Sequence, residues 1–145
     1  MNATQATKWV GEHGIVTTAS ADVIWRLWTD VDGWKRWNAG VKQARLKGPF
    51  APGTEFEMTL PDGDVVTSYL REVRCNEGFD DETTAGDLVV RVRHTIERCA
   101  DGRCRILYSL EASGPEAADM GPAISSDFPQ VLKALAALAE GQIGR

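Results

Sequence analysis

Apolar and polar residues alternate with a period of two through the middle of the chain and recur every three or four residues near both ends. Phe56, Met58 and Leu60 fall on one side of the segment Thr54 to Leu60, with Glu55, Glu57 and Thr59 on the other. Within Asp87 to Arg98, Leu88, Val90, Val92, His94 and Ile96 stand against Arg91, Arg93, Thr95 and Glu97. Side chains two apart share one face of a strand, so both segments predict strands with one covered and one wet face. Further strands are predicted at His13 to Thr18, Val41 to Leu46, Val65 to Val73, Gly78 to Glu82 and Arg103 to Ser113. The separators are Lys47-Gly-Pro49 with Pro52-Gly53, Pro61-Asp-Gly63, Asn76-Glu-Gly78, Ala85-Gly-Asp87 and Asp101-Gly102. These are hairpin signals, and strands so joined form an antiparallel meander.

The helical period appears twice. Ser20 stands as an N-cap ahead of Ala21 to Thr29, where Ile24, Leu27, Trp28 and Val31 make one apolar face. Asp32-Gly33 breaks this helix, Trp34 to Trp37 add one more turn, and Asn38-Ala-Gly40 ends the helical section. At the other end Ile124, Phe128, Val131, Leu132, Leu135, Leu138 and Ala139 trace a second helical face ending near Gly141. Pro122 suits a first turn, whereas Pro129 would interrupt a helix running through it. The reading is a long helix kinked near Pro129, or a shorter one capped by Asp127 with Pro129 in its first turn. The fold class is α+β, with the terminal helix covering the apolar face of the sheet.

A length of 145 residues, with 43% hydrophobic and 26% charged side chains, fits one globular domain over 1–145 with its core at about 11–141. No apolar run is long enough to span a bilayer, so no stable membrane insertion is expected. Met1 to Val10 has no basic start followed by an apolar stretch, which makes a cytoplasmic location the default. The net charge of -5 comes with scattered bases, which argues against a nucleic-acid partner. There is no Gly-x-Ser-x-Gly elbow, P-loop or Rossmann glycine fingerprint, and no cofactor is implied.

The element order, together with Ser20-Ala-Asp-Val-Ile-Trp25, Asp30-Val-Asp-Gly-Trp34-Lys-Arg-Trp37, Gly53-Thr-Glu-Phe56, Gly114-Pro115 and Phe128-Pro-Gln-Val-Leu-Lys-Ala-Leu135, resembles the START-like, or SRPBCC, superfamily. Within it the motifs look like the polyketide cyclase/dehydrase and lipid-transport branch. The resemblance covers about His13 to Glu140 and implies the helix-grip (Bet v 1-like) fold, a sheet wrapped around the terminal helix with an internal cavity. Members bind lipids, sterols, plant hormones or polyketides, and some act as aromatases or cyclases.

The expected cavity walls are Phe56, Met58, Leu88, Val90, Val92 and Ile96 from the sheet and Phe128, Leu132 and Leu135 from the helix. Of the five tryptophans, Trp25, Trp28, Trp34 and Trp37 cluster in the first helical section and read first as core. Trp37, at the exit of that section, is the candidate for the cavity mouth, where an indole offers apolar area and one N–H donor. His94 faces the covered side and either bonds a ligand and moves a proton or is a core histidine held by a backbone carbonyl. His13 reads as solvated.

Tyr69 and Tyr108 are candidates to offer hydroxyls to the interior. Alternation turns Ile106, Tyr108 and Leu110 inward, while a four-residue hairpin between Cys99 and Cys104 would turn Leu107, Ser109 and Glu111 inward. The first is preferred because a buried Glu111 needs a partner, and an odd loop or a bulge would reconcile the two. Cys75, Cys99 and Cys104 read as plain thiols and imply no metal site. The acids Asp80-Asp-Glu82 and Asp62-Gly-Asp64 read as solvated turns or strand ends. The leading function is binding or transport of a small apolar or amphipathic molecule. The alternatives are a cyclase, aromatase or dehydratase using His94 and Tyr108, and a protein-interaction module like the chaperone activators of the same fold.

Overall fold

In a computed structural model that describes residues 7–142, the period-two segments become seven strands. They are β1 (Lys8–Thr17), β2 (Gln43–Leu46), β3 (Glu55–Thr59), β4 (Val65–Arg74), β5 (Gly78–Ala85), β6 (Leu88–Arg98) and β7 (Cys104–Ser113). All neighbours are antiparallel, in the order β1-β7-β6-β5-β4-β3-β2. A bulge between Leu70 and Glu72 interrupts the β4–β5 register, which adds local twist to the sheet. Of the N-terminal stretch read for a leader, Met1 to Ala6 lie outside the described residues.

β1 begins at Lys8, five residues before its expected start. Gly11 and Gly14 obscure it in the sequence, yet Gly11 has a packing reason. The Trp9 ring lies where a Cβ on Gly11 would stand, 2.3 Å from the nearest ring atom. The same indole occupies the equivalent space at Gly121, so a glycine on each side admits the ring between strand and helix.

Helix α1 (Ala21–Thr29) starts where expected, with the Ser20 hydroxyl accepting from the Val23 N–H. It also ends at Thr29 as expected, although Val31, counted on its apolar face, lies beyond it. A 3₁₀ helix, Val31–Arg36, follows and contains Asp32-Gly33 rather than being preceded by them. The terminal helical region is two helices, α2 (Ala117–Ser125) and α3 (Phe128–Gln142). Pro122 therefore sits inside α2, not in its first turn.

The break between α2 and α3 has a local cause. Pro129 has no N–H to give the Ser125 carbonyl and its ring would clash there, so the helix cannot run through. The Ser125 and Ser126 hydroxyls meanwhile bond the carbonyls of Gly121 and Ala123. Regular bonding resumes with the Val131 N–H on the Asp127 carbonyl, which leaves Pro129 in the first turn of α3. Of the two sequence alternatives, the interrupted helix is the observed one.

The helices cover the inner face of the sheet, α3 against β1 and α1, and α2 against β1 and β7. The larger hydrophobic cluster joins Ile24 and Trp28 of α1, Phe56, Leu70, Phe79 and Ile106 of the sheet, and Leu132, Leu135 and Ala139 of α3. Burial of each such large apolar side chain stabilises the fold by about 1.5–3 kcal/mol. A smaller cluster gathers Leu88, Val90, Leu110, Ala112 and Ala117.

The register of β7 follows the alternation. Arg98 pairs with Cys104 and His94 with Tyr108, so Tyr108 faces inward with Ile106 and Leu110. The hairpin is of odd length: Cys99 bonds Arg103 around Ala100, Asp101 and Gly102, with Gly102 at φ 88°. Cys99 and Cys104 are thus not opposite each other, and all three cysteines are free thiols.

Candidate functional site: a cavity with one polar wall

A cavity of about 410 Å³ lies between the sheet and the helices, beside the point where the two hydrophobic clusters meet. β3 and β4 contribute Met58 and Val66, β5 contributes Phe79, Asp81, Thr83 and Ala85, and β6 contributes Leu88, Val90, Val92 and His94. Tyr108 comes from β7, Met120 and Ile124 from α2, and Phe128 and Val131 from α3. Trp34, Trp37, Asn38, Leu60 and Asp127 complete the wall. Phe128 packs against both clusters, which fixes this helical wall of the cavity.

The candidate residues divide between cavity, core and outer surface. Trp37, Met58, Val90, Val92, His94, Tyr108 and Phe128 line the cavity, as does Leu88. Phe56, Ile96, Leu132 and Leu135 share the inner face but belong to the packed core away from the cavity. For Phe56 the reason is Trp34, whose ring meets it edge-on at 5.3 Å and fills the space. Tyr69 is a correction. It stands on the outer face of β4, where its hydroxyl donates to Glu82. His13 is also placed differently, half-buried on β1 with its ring edge-on to Phe128 at 6.1 Å.

The polar groups converge at one place. His94 and Phe79 are directly paired across β5 and β6, and their rings stack at 3.9 Å with 9° between planes. The imidazole Nδ1 lies 3.1 Å from the Phe79 carbonyl. A carbonyl only accepts, so Nδ1 carries the proton and donates, leaving Nε2 a bare acceptor. Burial pushes the His94 pKa down to about 3, against the smaller opposing effect of the Phe79 carbonyl, and the ring is neutral at physiological pH.

Nε2 lies 4.0 Å from Oδ2 of Asp81. Among the described residues Asp81 has no hydrogen-bond partner, and no lysine or arginine lines the cavity. Burial first, then the neighbouring charge of Asp80, pushes its pKa up to about 8. Tyr108 completes the wall, its ring 4.6 Å from that of His94 and its oxygen accepting from the Trp28 indole at 3.2 Å. Burial holds its phenol well above the usual range. Thr83 shares its hydroxyl with Ser68. The Trp37 indole N–H is buried and has no partner among the described residues.

Asp81 is the cavity residue that hydropathy patterning does not reveal. The run Asp80, Asp81 and Glu82 reads as a solvated turn or strand end, whereas all three acids are buried within β5. Three acids in a row hide the period of two, yet Phe79 on the inner face already places Asp81 and Thr83 beside it. Among the described residues, no group of three or more His, Cys, Asp or Glu is arranged to hold a metal ion. No helix there is long and apolar enough to cross a membrane.

A curved antiparallel sheet closed over a cavity by helices defines a helix-grip protein. The chain belongs to the polyketide cyclase/dehydrase and lipid-transport family, whose sequence model matches residues 9–140. No curated protein matches it significantly in sequence. Solved structures match in fold. A norcoclaurine synthase point mutant from Thalictrum flavum, in complex with a transition-state analogue, aligns with a TM-score of 0.75 at 15% identity, covering 95% of this chain and 98% of that one. The same plant's enzyme in complex with dopamine and hydroxybenzaldehyde aligns at 0.71 and 17% identity, covering 92% and 87%. Ara h 8.0201 aligns at 0.74 and 15% identity, covering 92% and 98%.

Proposed function

We propose that the protein binds a small, largely apolar molecule in the cavity, with affinity from apolar burial and orientation from the wall formed by Asp81, His94 and Tyr108. The observation that carries this reading is the cavity itself, about 410 Å³ with aliphatic and aromatic side chains on most of its surface and polar groups gathered on one side. Family membership supports it, as does the norcoclaurine synthase neighbour, which is described in complex with small aromatic molecules.

The cyclase or dehydratase reading built on His94 and Tyr108 has less behind it. The Nδ1 of His94 is tied to a backbone carbonyl and burial holds the ring neutral, while burial makes the Tyr108 phenol a weaker acid. An interaction module would need a contiguous exposed apolar patch. Among the described residues the exposed large apolar side chains are Val10, Val16, Val65 and Met120, set on three different elements.

The test is native mass spectrometry of the purified protein after incubation with a mixed lipid and metabolite extract. The expected result is a retained small molecule, lost in Val90→Phe, which adds bulk to the cavity wall. Retention of nothing by the wild type, or equal retention by Val90→Phe, removes the proposal.

A further inference from the structure

Asp81 is a carboxyl placed in an apolar cavity without a cation. Such a group is costly to bury charged, and an isolated one is held neutral instead. The groups facing it are His94 from β6, neutral with a bare Nε2, and Tyr108 from β7, whose oxygen already accepts from Trp28. Asp80 on its own strand turns outward to Arg93, and Asp127 lines the cavity from the segment between α2 and α3. None of these is a cation. In its neutral form Asp81 offers one O–H to the cavity, and the Tyr108 hydroxyl, whose oxygen accepts from Trp28, keeps its own proton to donate. The wall therefore presents two donors, Asp81 and Tyr108, with His94 Nε2 as a neutral acceptor.

We propose that Asp81 serves the cavity as an uncharged carboxylic acid, donating a hydrogen bond to the carbonyl oxygen of a neutral ligand while the neighbouring Nε2 of His94 accepts from a ligand hydroxyl. The site so built selects uncharged, oxygenated molecules over both anions and cations. An anion would meet Asp127 on the cavity wall with no compensating base beside it. A cation would require Asp81 to give up its proton in an apolar wall. The assignment rests on the cavity being a ligand site and names the ligand's polar end.

The test uses four probes with one naphthalene body: 2-acetylnaphthalene, its carbonyl-free isostere 2-isopropenylnaphthalene, 2-naphthylmethylamine and 2-naphthoate. Binding is read by quenching of tryptophan fluorescence, since Trp34 and Trp37 line the cavity. At pH 6.5 the acetyl compound is expected to bind about tenfold more tightly than its isostere, the size of one net hydrogen bond to a buried group. The ammonium and carboxylate probes bind more weakly than the isostere. The acetyl preference declines as pH rises through about 8, where Asp81 ionises.

Asp81→Leu abolishes the preference. Asp81→Asn, which keeps an N–H donor, retains it and makes it independent of pH between 6.5 and 9.5. Equal binding of acetyl and isopropenyl probes to the wild type overturns the Asp81 assignment while leaving the cavity reading intact, and so does a preference unchanged in Asp81→Leu. Tightest binding of the ammonium probe overturns it in favour of a counter-ion role. Binding of none of the four, the isostere included, overturns the cavity reading as well.

Discussion

Asp81 and Glu82 are adjacent carboxylic acids on β5, 9% and 8% exposed, and they sit in opposite electrostatic worlds. Glu82 turns to the outer face, where it accepts from the Tyr69 hydroxyl and from the guanidinium groups of Arg71 and Arg91. The Tyr69 hydrogen bond leads in holding its pKa below the ordinary value, and the Arg91 bond and charge add to this against the effect of burial. Asp81 turns inward, finds no cation, and is pushed up to about 8. Burial alone does not set the charge of an acid. The strand's alternation decides which partners each carboxyl meets, and so which one is a fixed anion and which a neutral donor.

Opening the inner face to water should break this contrast most severely. Phe79 is buried, stacked on His94, and in edge contact with Trp28 and Phe50. Phe79→Ala removes a ring at the centre of the larger cluster and is expected to cost about 3–5 kcal/mol in urea unfolding. The cavity it leaves adjoins Asp81, so the carboxyl carbon-13 titration of Asp81 should move down from about 8 toward the ordinary carboxylate value.

A smaller effect comes from removing the inner charge alone. The folded pKa of Asp81 lies above its unfolded value of about 3.8, so its contribution to stability is greatest below that value and is lost as pH rises to about 8. His94 has the opposite sign. Its folded pKa of about 3 lies below 6.5, so its contribution is lost as pH falls through that window. The two slopes oppose each other in mildly acidic solution, and above 6.5 only that of Asp81 remains. Asp81→Asn has no such slope. Its stability relative to the wild type should rise by about 2 kcal/mol between pH 6.5 and 8, at about 1.4 kcal/mol per pH unit. Denaturant midpoints measured at both pH values check this, and a constant difference would mean that Asp81 is ionised throughout.

The contrast also marks how far the sequence alone is legible. β6 is legible because Leu88, Val90, Val92 and Ile96 alternate with charged residues, and that alternation by itself puts His94 on the inner face. The same local logic locates Ser20 and α1. β5 is only half legible, since three consecutive acids show no hydropathy period and only the alternation counted from Phe79 turns Asp81 inward and leaves Asp80 and Glu82 to Arg93 and Arg91 across the sheet. The division of the inner face into wall and core is hidden for another reason. Met58 and Phe56 share one side of β3, yet only Trp34, from a distant segment, decides that Phe56 is packed while Met58 borders open space. The helix break is half legible. Pro129 announces it, but the bonding of Ser125 and Ser126 to backbone carbonyls decides between a kink and an interruption.

The smallest expected effect belongs to the outer acid, for all its partners. Glu82→Gln removes a charge that Arg71 and Arg91 share, but their side chains are 37% and 49% exposed, so water already solvates much of each guanidinium. Surface pairs of this kind contribute about 0–1 kcal/mol each and are screened by salt. The glutamine amide can still accept from an arginine, which lowers the loss further. The expected destabilisation is therefore about 1 kcal/mol at low ionic strength, shrinking in about 0.5 M sodium chloride, whereas the pH-dependent gain of Asp81→Asn should persist in salt because its origin is desolvation. Unfolding both variants at the two salt concentrations separates the cases. If the Glu82→Gln loss is unaffected by salt, the outer carboxylate is held by packing and hydrogen bonds rather than by the arginine charges, and the two faces of β5 differ less in electrostatics than their partners imply.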